Sequence, residues 1–249
     1  MIEIRGLRKR LGRKQVLDGV DLDVQKGETL VVLGPSGTGK SVLLKHIIGL
    51  MPPDTGSIRI DGEEIVGLRD AEMNQVRRRF GMLFQSAALF DSMTVGENVA
   101  LAMLEHERSM GREEIRRRVK ERLEWVGLKD VEHMKPASLS GGMRKRVGLA
   151  RALALDPEYI LYDEPTTGLD PIMSDVINQL IRDLQKQLGV TSIVVTHDIN
   201  SANTVADRMV LLYEGRIVFT GTPDETRATA DPMVKQFLAG SSRGPIQPV

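Results

Sequence analysis

The chain has 249 residues, 41% of them hydrophobic, enough to bury about 70–75% of the surface of the unfolded chain and to exclude a disordered protein. Lys and Arg number 34 and Asp and Glu 34, a formal net charge of zero, which excludes a global basic field for holding nucleic acid or coating an anionic bilayer. Cysteine is absent, so disulfide frameworks, thiolate metal sites and thiol nucleophiles are excluded together, and a reducing compartment is expected. The first residues, Met1 to Arg5, enter an alternating apolar and charged pattern with no export signal. Apolar runs such as Thr29 to Leu33 fall far short of the ~20 residues of a membrane span. Any membrane role must therefore be borrowed from a partner.

Alternation over Ile2 to Leu7 and Val16 to Val24, then the run Thr29 to Leu33 after a Lys26-Gly27 turn, predicts three strands. Lys40 to Leu50 has helical spacing and is stopped by Pro52 and Pro53. Ser57 to Ile60 and Phe80 to Phe84 are short strand candidates. Between about Ser92 and Asp156 strand signals vanish, and Ile115, Val119, Leu123 and Val126 form the apolar stripe of an amphipathic helix. The triplets Arg77 to Arg79 and Arg116 to Arg118 read as solvated helix faces. Strand character returns at Tyr159 to Tyr162, Ser192 to Val195, Met209 to Leu212 and Arg216 to Thr220, with a helix from about Ile172 to Leu188 between the first two. Strand, helix and strand in succession imply a parallel sheet. Beyond Gly221, Met233, Val234, Phe237 and Leu238 recur at helical spacing; a helix that short requires a folded surface to dock on, its own or that of a second subunit.

The segment Gly34-Pro35-Ser36-Gly37-Thr38-Gly39-Lys40-Ser41 satisfies G-x-x-x-x-G-K-[ST] between a predicted strand and a predicted helix. Its backbone N–H groups can curl round a phosphate, Lys40 adds a cation for the β- and γ-phosphates, and the Ser41 hydroxyl can ligate Mg²⁺. Tyr159 to Tyr162 ends in Asp163 and Glu164, one suited to hold Mg²⁺ and the other to polarise an attacking water. An acidic turn closing a strand is the plain alternative, weakened by the phosphate loop upstream. His46, His106 and His133 read as ordinary surface or core residues. His197 closes a strand expected beside that of Asp163, where ligands collect in such sheets, and is assigned a γ-phosphate contact.

Leu139-Ser140-Gly141-Gly142-Met143-Arg144-Lys145-Arg146 resembles the signature sequence of the ATP-binding-cassette (ABC) family. With the phosphate loop, Gln85, Asp163-Glu164, Gly168-Leu169-Asp170 and His197 it completes that family's motif set in order, over about residues 1–222. The resemblance implies an α/β fold: a P-loop NTPase of the ABC ATPase type, with a mainly parallel sheet core, an antiparallel N-terminal β portion and a helical insert. It divides a single ABC domain into a nucleotide-binding core (1–85 and 159–222), a helical signature subdomain (86–158) and a C-terminal tail (223–249). It also implies ATP and Mg²⁺ as cofactors, with Glu164, His197 and Gln85 catalytic and Ser41, Gln85 and Asp163 toward the metal. A second copy of the chain would receive Ser140, Gly141 and Gly142 on its ATP, with Asp170 in the loop between. Two positions depart from the pattern: Met143 stands where Gln is commonest, and no aromatic lies near Leu11 to stack on adenine. Only Leu11, or a guanidinium from Arg10 or Arg13, is available there.

A narrower resemblance is carried by Met82 to Val99, including Gln85-Ser86-Ala87-Ala88-Leu89-Phe90, and by Asp231 to Gly240. Both look like the ATPases of Mla/MCE lipid transporters, which move phospholipid between the inner and outer membranes of Gram-negative bacteria. That implies a multi-span permease, contacted by Leu89 and Phe90, a lipid-carrying MCE-type substrate-binding protein, and a place on the cytoplasmic face of the inner membrane. For Leu89 and Phe90 the alternative is membership of the core. Two other functions stay open: the ATPase of a polar-solute importer, and a soluble ABC ATPase acting on nucleic acid or ribosomes. Zero net charge and a single cassette argue against the last, and no nucleic-acid partner is expected.

Overall fold

The computed structural model describes residues 1–107 and 109–247, so the last two residues of the tail lie outside it. In chain order the elements are β1 (Ile2–Leu11), β2 (Lys14–Val24), β3 (Thr29–Leu33), α1 (Lys40–Ile47), β4 (Thr55–Ile60), β5 (Glu63–Glu64), α2 (Asp70–Arg77), β6 (Phe80–Leu83), α3 (Val95–His106) and α4 (Arg112–Trp125). A 3₁₀ turn at Pro136–Ser138 precedes α5 (Gly141–Ala152), β7 (Tyr159–Asp163), α6 (Pro171–Leu188), β8 (Thr191–Thr196), α7 (Ile199–Val205), β9 (Arg208–Tyr213), β10 (Arg216–Gly221), α8 (Pro223–Ala228) and α9 (Pro232–Ala239). The chain packs as two compact units, Met1–Asn74 with Thr191–Val249, and Gln75–Val190.

In the first unit, β2, β1, β4 and β5 form an antiparallel sheet, the N-terminal β portion that the family resemblance implied. Strand β3 pairs in parallel with β8 on one side and β9 on the other, and β10 closes the edge antiparallel to β9. All of β3 and β8 is buried, as continuous Val, Ile and Leu runs demand when helices cover both faces of a parallel sheet. Each such side chain stabilises the fold by ~1.5–3 kcal/mol. Helix α1 stops at Ile47, short of the expected Leu50. Ile48 caps it and Gly49 turns left-handed (φ 66°), ending the helix before the prolines are reached.

In the second unit, β6 and β7 pair in parallel, from Phe80 beside Tyr159 to Leu83 beside Tyr162. Helices α3, α4 and α5 pack on one another, and α5 also packs on β6. The apolar stripe of α4 is buried as its spacing required. On the same helix Arg122 is buried, donates to the Leu153 carbonyl (3.0 Å) and to Asp156, and lies over the Trp125 ring at 3.9 Å. Among the described residues no helix is long and apolar enough to cross a membrane.

The tail is ordered around one side chain. Buried Gln236 donates to the carbonyls of Ser241 (3.1 Å) and Ile246 (2.9 Å) and accepts from the Ile246 N–H (2.6 Å). Residues 241–247 thus fold back over α9, which packs on α8 within the same chain.

Candidate nucleotide site

The phosphate loop runs from the end of β3 to the start of α1. At Gly34 a Cβ would stand 2.3 Å from the Leu212 carbonyl, so the loop lies against β9 as no larger residue allows. Gly39, at the cap of α1, has φ 103° and faces Val16 where a Cβ would come within 2.9 Å. Both constraints turn the backbone into the strained curl that aims N–H groups at one point. Lys40 is buried, its ammonium donating to the carbonyls of Gly34 (2.7 Å) and Pro35 (3.0 Å). The Thr38 hydroxyl donates to the Pro35 carbonyl (2.9 Å), and Lys14 reaches the Gly37 carbonyl (3.2 Å). No acidic residue occupies the first turn of α1, whose positive end favours an anion. Ser36 and Gly37 are exposed, and Ser41 is half-buried at the helix start. The register sets Leu33 beside Thr196, so exposed His197 leaves the sheet at the same end as Gly34. Leu11 ends β1 and is 41% exposed.

In the second unit, Asp163 ends β7 and is buried, as is Glu164. Glu164 takes the left-handed conformation (φ 49°), which breaks the strand alternation and separates the directions of the two carboxylates. The Thr167 hydroxyl donates to Glu164 Oε2 (3.2 Å). After β6, Gln85 is exposed, and Ala87 and Ala88 are both left-handed (φ 62° and 48°). Two successive non-glycine residues there are strained and must be held by their surroundings.

Helix α5 holds them. The Lys145 ammonium, 5% exposed, donates to the carbonyls of Gln85 (2.5 Å) and Glu164 (3.1 Å), joining the glutamine loop to the carboxylate strand. Burial pulls its pKa down to about 8, against the opposing attraction of Asp163 and Glu164. Arg151, its pKa also lowered by burial, donates to the carbonyls of Ala87 (2.8 Å) and Ala88 (2.6 Å). Between the two, Gly148 brings the helix so close that a Cβ would meet Leu83 at 2.9 Å and Ala87 at 3.1 Å. Neither cation was anticipated. The available signal was spacing: Lys145 stands three residues from both Gly142 and Gly148, on the packed face of α5.

The same helix begins at the signature. Ser140 is exposed and caps α5 by accepting from the Met143 N–H (3.2 Å). Gly141 is half-buried, and Gly142 is buried where a Cβ would stand 2.4 Å from Met173 Cε. Asp170 caps α6, accepting from the N–H groups of Ile172 and Met173 (3.0 Å each). Leu89 is half-buried and Phe90 is 49% exposed. The Phe90 main chain is pinned on both sides by fully buried Asn98, which accepts from its N–H (2.8 Å) and donates to its carbonyl (3.1 Å).

Residues 17–167 match the family model of the ABC transporter. The chain is 48% identical over 246 residues to the probable ribonucleotide transport ATP-binding protein mkl of Mycobacterium leprae, covering 98% of this chain and 70% of that protein. It is 42% identical to the intermembrane phospholipid transport system ATP-binding protein MlaF of Haemophilus influenzae, covering 99% and 93%. Among solved structures, the ATP-binding cassette MJ0796, a dimer in a post-hydrolysis state with ADP and Pi, superposes with a TM-score of 0.83 at 36% identity, over 90% of this chain and 99% of that one. A phosphate loop heading α1, a carboxylate pair ending β7 and a capped signature helix therefore have one shared origin: the chain belongs to the ABC transporter family, as an ATP-hydrolysing cassette.

Proposed function

We propose that this ATPase drives a membrane permease that moves phospholipid between bacterial inner and outer membranes. The observation that carries the proposal is the match to MlaF along nearly the whole of both chains, 99% of this one and 93% of the relative. In this reading the chain pairs with a second copy and sits on the cytoplasmic face of the inner membrane. Exposed Phe90 and neighbouring Leu89 contact the permease, and an MCE-type protein carries the lipid. The functional division is a nucleotide-binding core of 1–85 and 159–222, a signature subdomain of 86–158 and a tail of 223–249.

The residue roles follow from their chemistry. Lys40 and the N–H groups from Gly34 to Ser41 hold the β- and γ-phosphates, and Glu164 takes a proton from the attacking water. His197 donates to the γ-phosphate, Ser140, Gly141 and Gly142 serve the ATP of the other copy, and Asp170 belongs to the loop beside them. Magnesium keeps its waters and is shared between one or two protein oxygens and the substrate phosphates. Ser41, Gln85 and Asp163 would hold it. When bound it would offset the negative charge of the β- and γ-phosphates.

Glu164→Gln keeps the shape and removes the base, so ATP should bind and persist. Light scattering with ATP and Mg²⁺ is expected to show a dimer for Glu164→Gln and a monomer for Lys40→Ala, and wild-type turnover in Glu164→Gln would sink the assignment. A second reading, ribonucleotide transport, is favoured by the name of the mycobacterial relative. Reconstituting the chain with its permease in liposomes separates them: ATP-dependent phospholipid transfer to an acceptor protein supports the first, and ribonucleotide uptake the second.

A further inference from the structure

The first turns of α5 and α6 meet at the signature. Gly141 lies at ordinary contact distance from Leu169, an added Cβ standing 3.4 Å from its Cδ2. On buried Gly142 there is no such room: the methyl of Met173 fills the space a Cβ would need, and Sδ is 3.7 Å from that point. Met173 stands third in α6 and gives its N–H to Asp170 (3.0 Å), as Met143 stands third in α5 and gives its N–H to Ser140 (3.2 Å). Met173 is half-buried, so part of it is open to solvent. A methionine also packs on Gly49, where a Cβ would stand 2.6 Å from the sulfur of Met73, but Met73 is only 5% exposed and closed to reagents. Met82, Met103 and Met209 are buried as well. The chain has 12 methionines and no cysteine, so all of its oxidisable sulfur is thioether.

We propose that Met173 is an oxidation site through which hydroperoxides reversibly slow ATP hydrolysis. A lone pair of its sulfur attacks one peroxide oxygen, and the S–O bond forms as the O–O bond breaks. The sulfur gives up two electrons, and the second oxygen leaves as water from hydrogen peroxide or as an alcohol from an organic hydroperoxide. A dithiol reductase reverses the change: the sulfoxide oxygen leaves as water, the sulfur returns to thioether and the two thiols close to a disulfide. Oxidation converts a flexible apolar side chain into a polar one, whose oxygen needs water or a hydrogen-bond donor. At Met173 that oxygen shares its sulfur with the methyl lying on Gly142. Holding the methyl in place draws the oxygen into the contact between α5 and α6, and hydrating the oxygen lifts the methyl away. In both cases Gly142 loses its support and the signature loses its aim. The inference rests on the role proposed for Gly142 toward the ATP of the second copy.

The test treats the full chain with hydrogen peroxide, follows sulfoxide at each methionine by peptide mass spectrometry, and measures phosphate release and, by calorimetry, ATP affinity. As Met173 oxidises, turnover should fall about tenfold, within the range that a displacement of about 1 Å can cost. ATP affinity, set by the phosphate loop, should stay within about twofold. Methionine sulfoxide reductases with dithiothreitol should restore the rate. Met173→Leu, close to methionine in volume and inert to peroxide, should turn over within about twofold of the wild type before and after treatment. Met143→Leu keeps Met173 and should lose its rate as the wild type does. The proposal is overturned if Met173 stays reduced while other half-buried methionines oxidise, if Met173→Leu loses its rate as the wild type does, or if ATP affinity falls as far as turnover. It is also overturned if Met173 oxidises and turnover holds, and Gly142→Ala then locates the fault. A Gly142→Ala chain that no longer turns over leaves the signature reading standing and the oxidation switch alone refuted. One that turns over like the wild type refutes the signature reading and the switch with it.

Discussion

Lys145→Met removes a side chain that hydrogen-bonds both the Gln85 and the Glu164 carbonyls. Each carbonyl left without a donor in a buried place costs roughly 1–3 kcal/mol. The ammonium is itself buried at a cost, visible in a pKa pulled down to about 8, and its removal returns part of that loss. A net destabilisation of about 2 kcal/mol follows, which for a chain of this size lowers Tm by about 4–8 °C. The larger effect is on rate. Glu164, Ala87 and Ala88 hold strained backbone conformations, and misplacing catalytic groups by about 1 Å can cost about a hundredfold. We expect kcat to fall about 10- to 100-fold while nucleotide affinity, set by the phosphate loop, stays within about threefold. Phosphate-release kinetics over a range of ATP concentrations, with calorimetry on the same samples, measures both. Lys145→Arg, which keeps several cationic donors, should recover most of the rate. A variant that melts early yet turns over at the wild-type kcat would refute the reasoning, leaving Lys145 a packing residue.

Titration of the same lysine gives a second expectation. Its pKa falls from 10.5 to about 8 on folding, so between those values the unfolded chain retains a proton that the folded chain has released. The stability it contributes is then flat below about pH 8 and rises with pH up to about 10.5; the neutral amine still has two N–H donors, one for each carbonyl. The urea-unfolding difference between wild type and Lys145→Met should widen from pH 7.5 to pH 9.5, and a difference that shrinks would contradict the assignment. Asn98→Ala removes the acceptor of the Phe90 N–H and one of the donors to its carbonyl, which keeps the Met93 N–H (3.0 Å), and should cost about 1–3 kcal/mol. Amide exchange at residues 90–93 should quicken at least tenfold, while protection in β6 stays unchanged.

The strands and the chemistry on their ends were legible because their signals are local. Alternation marked β1 and β2, unbroken apolar runs marked β3, β7 and β8, and the phosphate loop, Gln85, Asp163-Glu164 and His197 each sit within a few residues of one strand end. Four helices went unread: α2, α3, α7 and α8. Helix α2 has two buried apolar side chains, Met73 and Val76, too few to set a period. Helix α7 is short and polar, held by its Asp198 cap. The remaining two carried a readable sign, since Thr94 with Glu97 and Thr222 with Glu225 are both capping boxes. What no pattern could reveal were contacts with main-chain carbonyls across long separations. Lys145 reaches Gln85 over 60 residues and Arg151 reaches Ala87 over 64. A carbonyl carries no side-chain identity, so sequence offers nothing to pair with the cation. The tail followed the same rule: its helix was expected from Met233 to Leu238, while the fold-back of residues 241–247 depends on Gln236, a residue that reads as a solvated position.

With the base role proposed for Glu164, its left-handed turn sets stability against activity at a single residue. A non-glycine side chain there costs about 1–2 kcal/mol, which glycine would avoid and asparagine would reduce. Variants carrying either should withstand heat better than the wild type and hydrolyse nothing. A library of this gene sorted for thermal resistance alone would therefore drift away from glutamate at position 164, and one sorted for turnover would restore it. On the proposed role, the acid at that turn stands in opposition to what the backbone prefers.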